Sequence, residues 1–128
     1  MKPPSILVVD DELLIRDLLY DFFLGQGWQV SIAENGEKAL EILRSKEIDV
    51  VLTDIKMPQM DGLTLTSEVK ESFPGIPVVL MTGYPSVESA VAALRNKAAD
   101  YVTKPFNINQ LFKLIDAKVK EKNGRQIP

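Results

Sequence analysis

The chain has 128 residues, 45% hydrophobic and 26% charged, with 18 acidic residues against 15 basic and a net charge of -3. That length suits one domain with one core, and the acidic balance argues against nucleic-acid binding by this chain alone. Neither cysteine nor histidine occurs, which excludes disulfides, thiolate chemistry, cysteine–histidine zinc sites and a phosphohistidine.

Strand-like and helix-like stretches alternate along the chain. Ser5–Val9 is uninterrupted and apolar, the pattern of a strand buried on both faces. Ile15, Leu18, Leu19, Phe22 and Phe23 then fall at the spacing of an amphipathic helix, which Gly25 and Gly27 end. Trp28–Ala33 is the second strand, its tryptophan a core residue at the end away from the acids described below. Asn35-Gly36 makes a turn, and a second helix covers Glu37–Ser45 with Ala39, Leu40 and Leu43 inward. Val50–Thr53 is the third strand, and the loop Asp54–Asp61 leads into a helix over Leu63–Ser72. Pro74, Gly75 and Pro77 punctuate the entry to a fourth strand, Val78–Met81. Val87, Ala90, Val91 and Leu94 are expected to form the inner face of the fourth helix. Asp100–Thr103 is a short fifth strand, and Ile108, Leu111, Leu114 and Ile115 mark a last helix capped at Asn107. One domain over residues 1–119 is expected, with 120–128 a polar tail or the start of a linker. No apolar signal stretch follows Lys2, and no apolar run approaches the ~20 residues of a membrane helix. No membrane association is expected, and the location expected is cytoplasmic.

Five such units with short connections specify an α/β fold, a parallel sheet with helices on both faces. Ligands of such sheets bind outside the carboxyl ends of the strands. There the sequence places Asp10-Asp11, Asp54, Thr82 and Lys104, each where an apolar run stops. Asp10 and Asp11 could simply cap a helix. Two adjacent acids ahead of Glu12 exceed what a cap needs, however, and a hard cation such as magnesium would relieve their repulsion. In the strand order 2-1-3-4-5 the first and third strands are neighbours, which brings Asp54 beside them. Three packed carboxylates raise one another's pKa values, and a carboxylate can serve as the nucleophile that forms an aspartyl phosphate. A threonine hydroxyl can donate to a phosphoryl oxygen, and a lysine can hold one as a point charge.

These residues stand in longer motifs: Val8-Val9-Asp10-Asp11-Glu12, Leu52-Thr53-Asp54-Ile55-Lys56-Met57-Pro58, Met60-Asp61-Gly62, Met81-Thr82-Gly83, and Asp100-Tyr101-Val102-Thr103-Lys104-Pro105-Phe106. Together they closely resemble the receiver domain of two-component response regulators, from Ser5 to Lys118. The resemblance implies a doubly wound, five-stranded, flavodoxin-like sheet of order 2-1-3-4-5. It also implies a phosphorylation-activated switch rather than an enzyme, one that assists its own phosphorylation and slow dephosphorylation. Asp54 matches the phosphoacceptor, Asp11 the direct magnesium ligand, Asp10 the acid acting largely through water, and Lys56 the position whose backbone carbonyl binds the metal. Thr82 matches the switch hydroxyl, Tyr101 the switch aromatic, and Lys104 the phosphoryl-binding lysine, with its bond to Pro105 expected cis. Mg2+ is the implied cofactor. A histidine kinase or phosphotransfer protein is the implied partner, with an output domain or a homodimer formed on phosphorylation. Two positions depart from the pattern: Lys97 stands where glycine is usual, at a bend that would need positive φ, and Gly83 where alanine is common.

Three alternatives share parts of this pattern. An interaction module independent of phosphorylation predicts loss of a pocket residue, yet all are present. A flavin carrier needs a phosphate-cradling loop after the first strand, where Asp10-Asp11-Glu12 would repel the phosphate. An aspartate-nucleophile hydrolase uses an Asp-x-Asp pair after that strand and usually a cap domain; neither is seen.

Overall fold

The apolar runs become five parallel strands in a computed structural model that describes residues 2–125. They are β1 (Ser5–Val9), β2 (Gln29–Ala33), β3 (Val50–Asp54), β4 (Val78–Thr82) and β5 (Asp100–Thr103). Five helices alternate with them: α1 (Leu13–Gly25), α2 (Gly36–Ser45), α3 (Gly62–Ser72), α4 (Val87–Arg95) and α5 (Ile108–Arg125). The sheet order is β2-β1-β3-β4-β5, the doubly wound flavodoxin-like arrangement. The three central strands are buried along their whole length, which is why their sequences do not alternate in polarity.

Alternate residues of each strand feed opposite cores. Ile6, Val8, Val50, Leu52, Val79 and Met81 pack with α1 and α5, and Leu7, Val9, Val51 and Val78 with α2 and α3. Trp28 is a core residue, 5% exposed, with ring centroids 5.1 Å from Phe23 and 5.7 Å from Phe112. Side-chain caps fix the helix starts at Asn35, Asp61 and Asn107, and Ser86 makes a capping box with Ser89.

Two expectations change. The inner face of α4 is Ala93 with Ala90 beside it, while Val87 and Leu94 are 81% and 76% exposed and Val91 39%. Ala93 packs on Leu80 and Ile55, so the helix lies close to the sheet and short side chains fill the contact. At the other end, α5 continues through Lys120 to Arg125 where a polar tail was expected. Lys122 reaches back to Asp49 at 3.4 Å, which favours those turns. Residues 126–128 of the expected tail lie outside the described residues. No helix among the described residues is long and apolar enough to cross a membrane.

Candidate functional site

The register carries the acids to one place. Val9 pairs with Thr53, so Asp10 and Asp54, each one residue further, leave β1 and β3 side by side. Asp54 pairs with Met81, and Thr82 with Thr103, which delivers the hydroxyl and then Lys104 to the same edge. Lys104 Nζ lies 2.8 Å from Asp10 Oδ2, 3.4 Å from Asp54 Oδ2 and 3.8 Å from Glu12 Oε1. The peptide bond from Lys104 to Pro105 is cis, as expected.

Asp10 is fully buried and uses both oxygens. Oδ1 accepts the Glu12 amide at 2.9 Å, and Oδ2 accepts from Lys104. Its backbone carbonyl accepts from Arg16 Nη1 at 2.7 Å, which ties the first turn of α1 to the strand end. The aspartate therefore does the local work of a helix start and also holds the site lysine. Glu12 occupies the N-cap position of α1 but makes no side-chain cap bond. Its carboxylate is left to approach the pocket, and carboxylate oxygens of Asp10, Glu12 and Asp54 lie within 4.8 Å of one another.

Asp54 is 7% exposed. Burial pushes its carboxyl above the ordinary range, and the charge of Asp10 adds to that; Lys104 opposes, and Asp11 contributes a smaller upward push. Burial alone would lower the Lys104 ammonium. Its hydrogen bond to Asp10, with the charges of Asp10, Asp54 and Glu12, outweighs that and raises it. The pair therefore holds a carboxylate that binds a proton more readily than usual beside a lysine that stays charged.

The remaining residues surround an open cleft beside this centre. Asp11 is exposed and lines it with Lys56, Thr82 and Tyr84. Its carboxylate is not one of the three that converge. Thr82 is 3% exposed, and its Oγ1 accepts the Tyr84 amide at 3.0 Å. Tyr101 is half-buried, with its hydroxyl 2.6 Å from Ser89 Oγ on α4. Gly62 packs directly on the main chain at Asp54: a Cβ there would stand 2.1 Å from the Asp54 carbonyl oxygen. Sequence reasoning assigned no role to Glu12 or Ser89. Glu12 was visible only as the third acid of a run, and Ser89 gave no signal before the fold placed it against Tyr101.

A family model described as the response regulator receiver domain matches residues 6–116. The chain belongs to that family. The receiver domain is 39% identical over 128 residues to the DNA-binding transcriptional regulator NtrC of Escherichia coli strain K12, covering 100% of this chain and 27% of that protein. It spans about a quarter of the length of the curated relatives it matches. A CheY-like receiver domain protein from Methanospirillum hungatei JF-1 superimposes with a TM-score of 0.92 at 31% identity, over 96% of this chain and 98% of the other. The response regulator TrrA of Thermotoga maritima, solved in complex with Mg(2+)-BeF, gives a TM-score of 0.81 at 35% identity, over 90% and 98% of the two chains. Receiver domains of response regulators are phosphoacceptors that act as phosphorylation switches in two-component signal transduction.

Proposed function

We propose that Asp54 of this receiver domain accepts a phosphoryl group from a histidine kinase or a phosphotransfer protein, and that the adduct switches the surface formed by α4, β5 and α5. The supporting observation is Lys104, whose ammonium reaches Asp10 and Asp54 together at 2.8 and 3.4 Å. It can stay with Asp10 while meeting charge that develops beside Asp54. An oxygen of Asp54 attacks phosphorus in line. The new O–P bond forms as the donor's bond to phosphorus breaks, and the electron pair leaves with the donor.

The donor set fits Mg2+. Carboxylate oxygens of three acids converge within 4.8 Å, and magnesium takes oxygen ligands including one or two carboxylates. The converging acids Asp10, Asp54 and Glu12 would hold it, and Asp11 and the Lys56 backbone carbonyl, which stand at the family's metal-binding positions, would join them from the adjoining cleft. Bound there, magnesium would neutralise charge on the phosphoryl oxygens.

The switch starts at Thr82. Its hydroxyl exchanges the Tyr84 amide for a phosphoryl oxygen, the loop into α4 loosens, and Tyr101 leaves Ser89 to turn inward. Moving a two-state equilibrium from 1:99 to 99:1 takes about 5.5 kcal/mol. One charge-assisted hydrogen bond contributes ~1.5–3 kcal/mol, so Thr82 supplies part of it and the contact of Lys104 with the phosphoryl group a further part. Acetyl phosphate with magnesium should add one acid-labile phosphoryl mass to the intact chain and none to Asp54→Asn. An equal adduct on Asp54→Asn would overturn the assignment.

A further inference from the structure

Lys97 is the departure from the receiver pattern that the phosphoryl site does not use. It sits in the turn between α4 and β5 with φ 63°, the left-handed region that a glycine occupies without strain. The residue is exposed, so packing does not account for a lysine there. It lines a cleft of about 440 Å³ with Lys70, Lys118 and Lys122. Pro77 and Ala99, which precede β4 and β5, place this cleft at the amino ends of the strands, the edge opposite Asp54.

The charges in it are incompletely matched. Lys118 Nζ lies 3.8 Å from Asp100 and Lys122 Nζ 3.4 Å from Asp49, neither of which lines the cleft. Among the described residues, neither Lys70 nor Lys97 has a carboxylate within 4.0 Å. Lys70 Nζ donates to the Ile76 carbonyl at 2.8 Å, and burial disfavours its charged form. Glu121 is the one acid of the lining. A chain of net charge -3 thus gathers four cations around one concavity, two without a counter-charge. The left-handed turn at Lys97 ends α4, with the Lys97 amide donating to Leu94 and the Ala98 amide to Ala93, both at 3.0 Å; it is the half-buried Lys70 ammonium without a counter-charge that an ordinary solvated lysine face does not need.

We propose that this cleft binds a small polyvalent phosphate, for which inorganic pyrophosphate is the probe. The four lysines supply the attraction, and Lys70 and Lys97 gain the counter-charge they lack. No aromatic ring lines the cleft, so nothing there stacks on a base, and the anion is recognised by its charge alone.

The test titrates inorganic pyrophosphate into the 15N-labelled chain, free of magnesium and at constant ionic strength. Amide shifts should centre on Lys70, Gly75, Lys97 and Ala99 and leave Asp10, Asp54 and Lys104 in place. Lys97→Gly should bind at least fourfold more weakly, about fourfold being the effect at ~5 Å in water of one unit charge on each charge of the anion. The same variant should melt at a higher temperature, because the left-handed turn is relieved. Glu121→Gln should bind at least about fourfold more tightly for the converse reason. Adenosine diphosphate should bind no more tightly than pyrophosphate. Unchanged affinity in both variants would overturn the proposal, and so would equal shifts around Lys2, Lys46 and Lys120. Tenfold tighter binding of the nucleotide would overturn recognition by charge alone. Asp54→Asn should bind pyrophosphate as the parent does, so this result is independent of the phosphoacceptor assignment.

Discussion

Replacing Gly62 with alanine should damage the strand that carries Asp54 from beneath. The new Cβ would stand 2.1 Å from the Asp54 carbonyl oxygen, 2.9 Å from its carbon and 3.0 Å from Ile55 Cα. All three are main-chain atoms, so no side chain can swing aside. The segment is also pinned: the Ile55 amide donates to Met81 at 2.9 Å, the Gly62 amide to Ile55 at 2.7 Å, and Thr53 Oγ1 to the Asp54 carbonyl at 3.0 Å. Ordinary contact requires a retreat of more than about 1 Å, which strains those bonds. Overpacking costs ~1–3 kcal/mol, and weakening one hydrogen bond adds about 1 kcal/mol. Lower unfolded-state entropy returns ~0.4–1 kcal/mol. The net loss is about 2–3 kcal/mol, or roughly 10 °C in Tm for a chain of this size. Urea unfolding followed by far-ultraviolet circular dichroism and by the buried Trp28 measures it, with the slope m unchanged. Gly36→Ala meets only the Met60 side chain, 2.7 Å away at Sδ, and should lose less than ~1 kcal/mol. Gly75→Ala meets nothing within 4 Å and should be neutral or slightly stabilising. A Gly62→Ala protein within ~0.5 kcal/mol of the parent would refute the reasoning.

Three further outcomes follow from the site. Burial, then the Asp10 charge, holds the Asp54 carboxyl above its ordinary 3.8 in the folded state. Protonation therefore favours folding, and this contribution to metal-free stability grows as pH falls through the raised value towards 3.8. Asp54→Asn should be more stable than the parent in metal-free neutral buffer, with the difference shrinking as pH falls through that window; urea unfolding across a pH series checks it. Magnesium at a hundred times its dissociation constant should stabilise the parent by about 2.7 kcal/mol, and thermal melts of Asp54→Asn and Glu12→Gln should respond less. Beryllium fluoride with magnesium should shift amide resonances from Thr82 through Phe112 and leave Trp28–Ser45 nearly still; Thr82→Ala should still accept phosphate but lose that shift.

What the sequence disclosed followed burial. β1, β3 and β4 lie between two helical layers, so their sequences are unbroken apolar runs and their ends could be read directly. Because the site groups other than Tyr101 and Lys104, which belong to and follow the half-buried β5, stand at such an end or in its adjoining loop, most of the site was legible with them. Periodicity failed on α4: Val87, Val91 and Leu94 share a stripe at helical spacing, and spacing alone does not say which stripe faces the sheet. The close approach of α4 over Leu80 selects Ala93 instead, a distance set by tertiary packing. Glu12 was visible as an acid but not as a site group, because its direction depends on the turn that Asp10 Oδ1 makes with the Glu12 amide. Ser89 meets Tyr101 across twelve positions of chain, a contact that no local pattern encodes. Lys97 was legible in the opposite sense: an unexpected residue marked a left-handed turn that the backbone adopts.

The central claim is that the phosphoryl group resides on Asp54. Borohydride reduces an acyl phosphate to the alcohol and marks the modified carboxyl permanently. The chain is treated with acetyl phosphate and magnesium, reduced, digested and sequenced by tandem mass spectrometry. The reduced side chain should appear at Asp54 alone. A reduced side chain at Asp10, Asp11 or Glu12, with Asp54 intact, would contradict it.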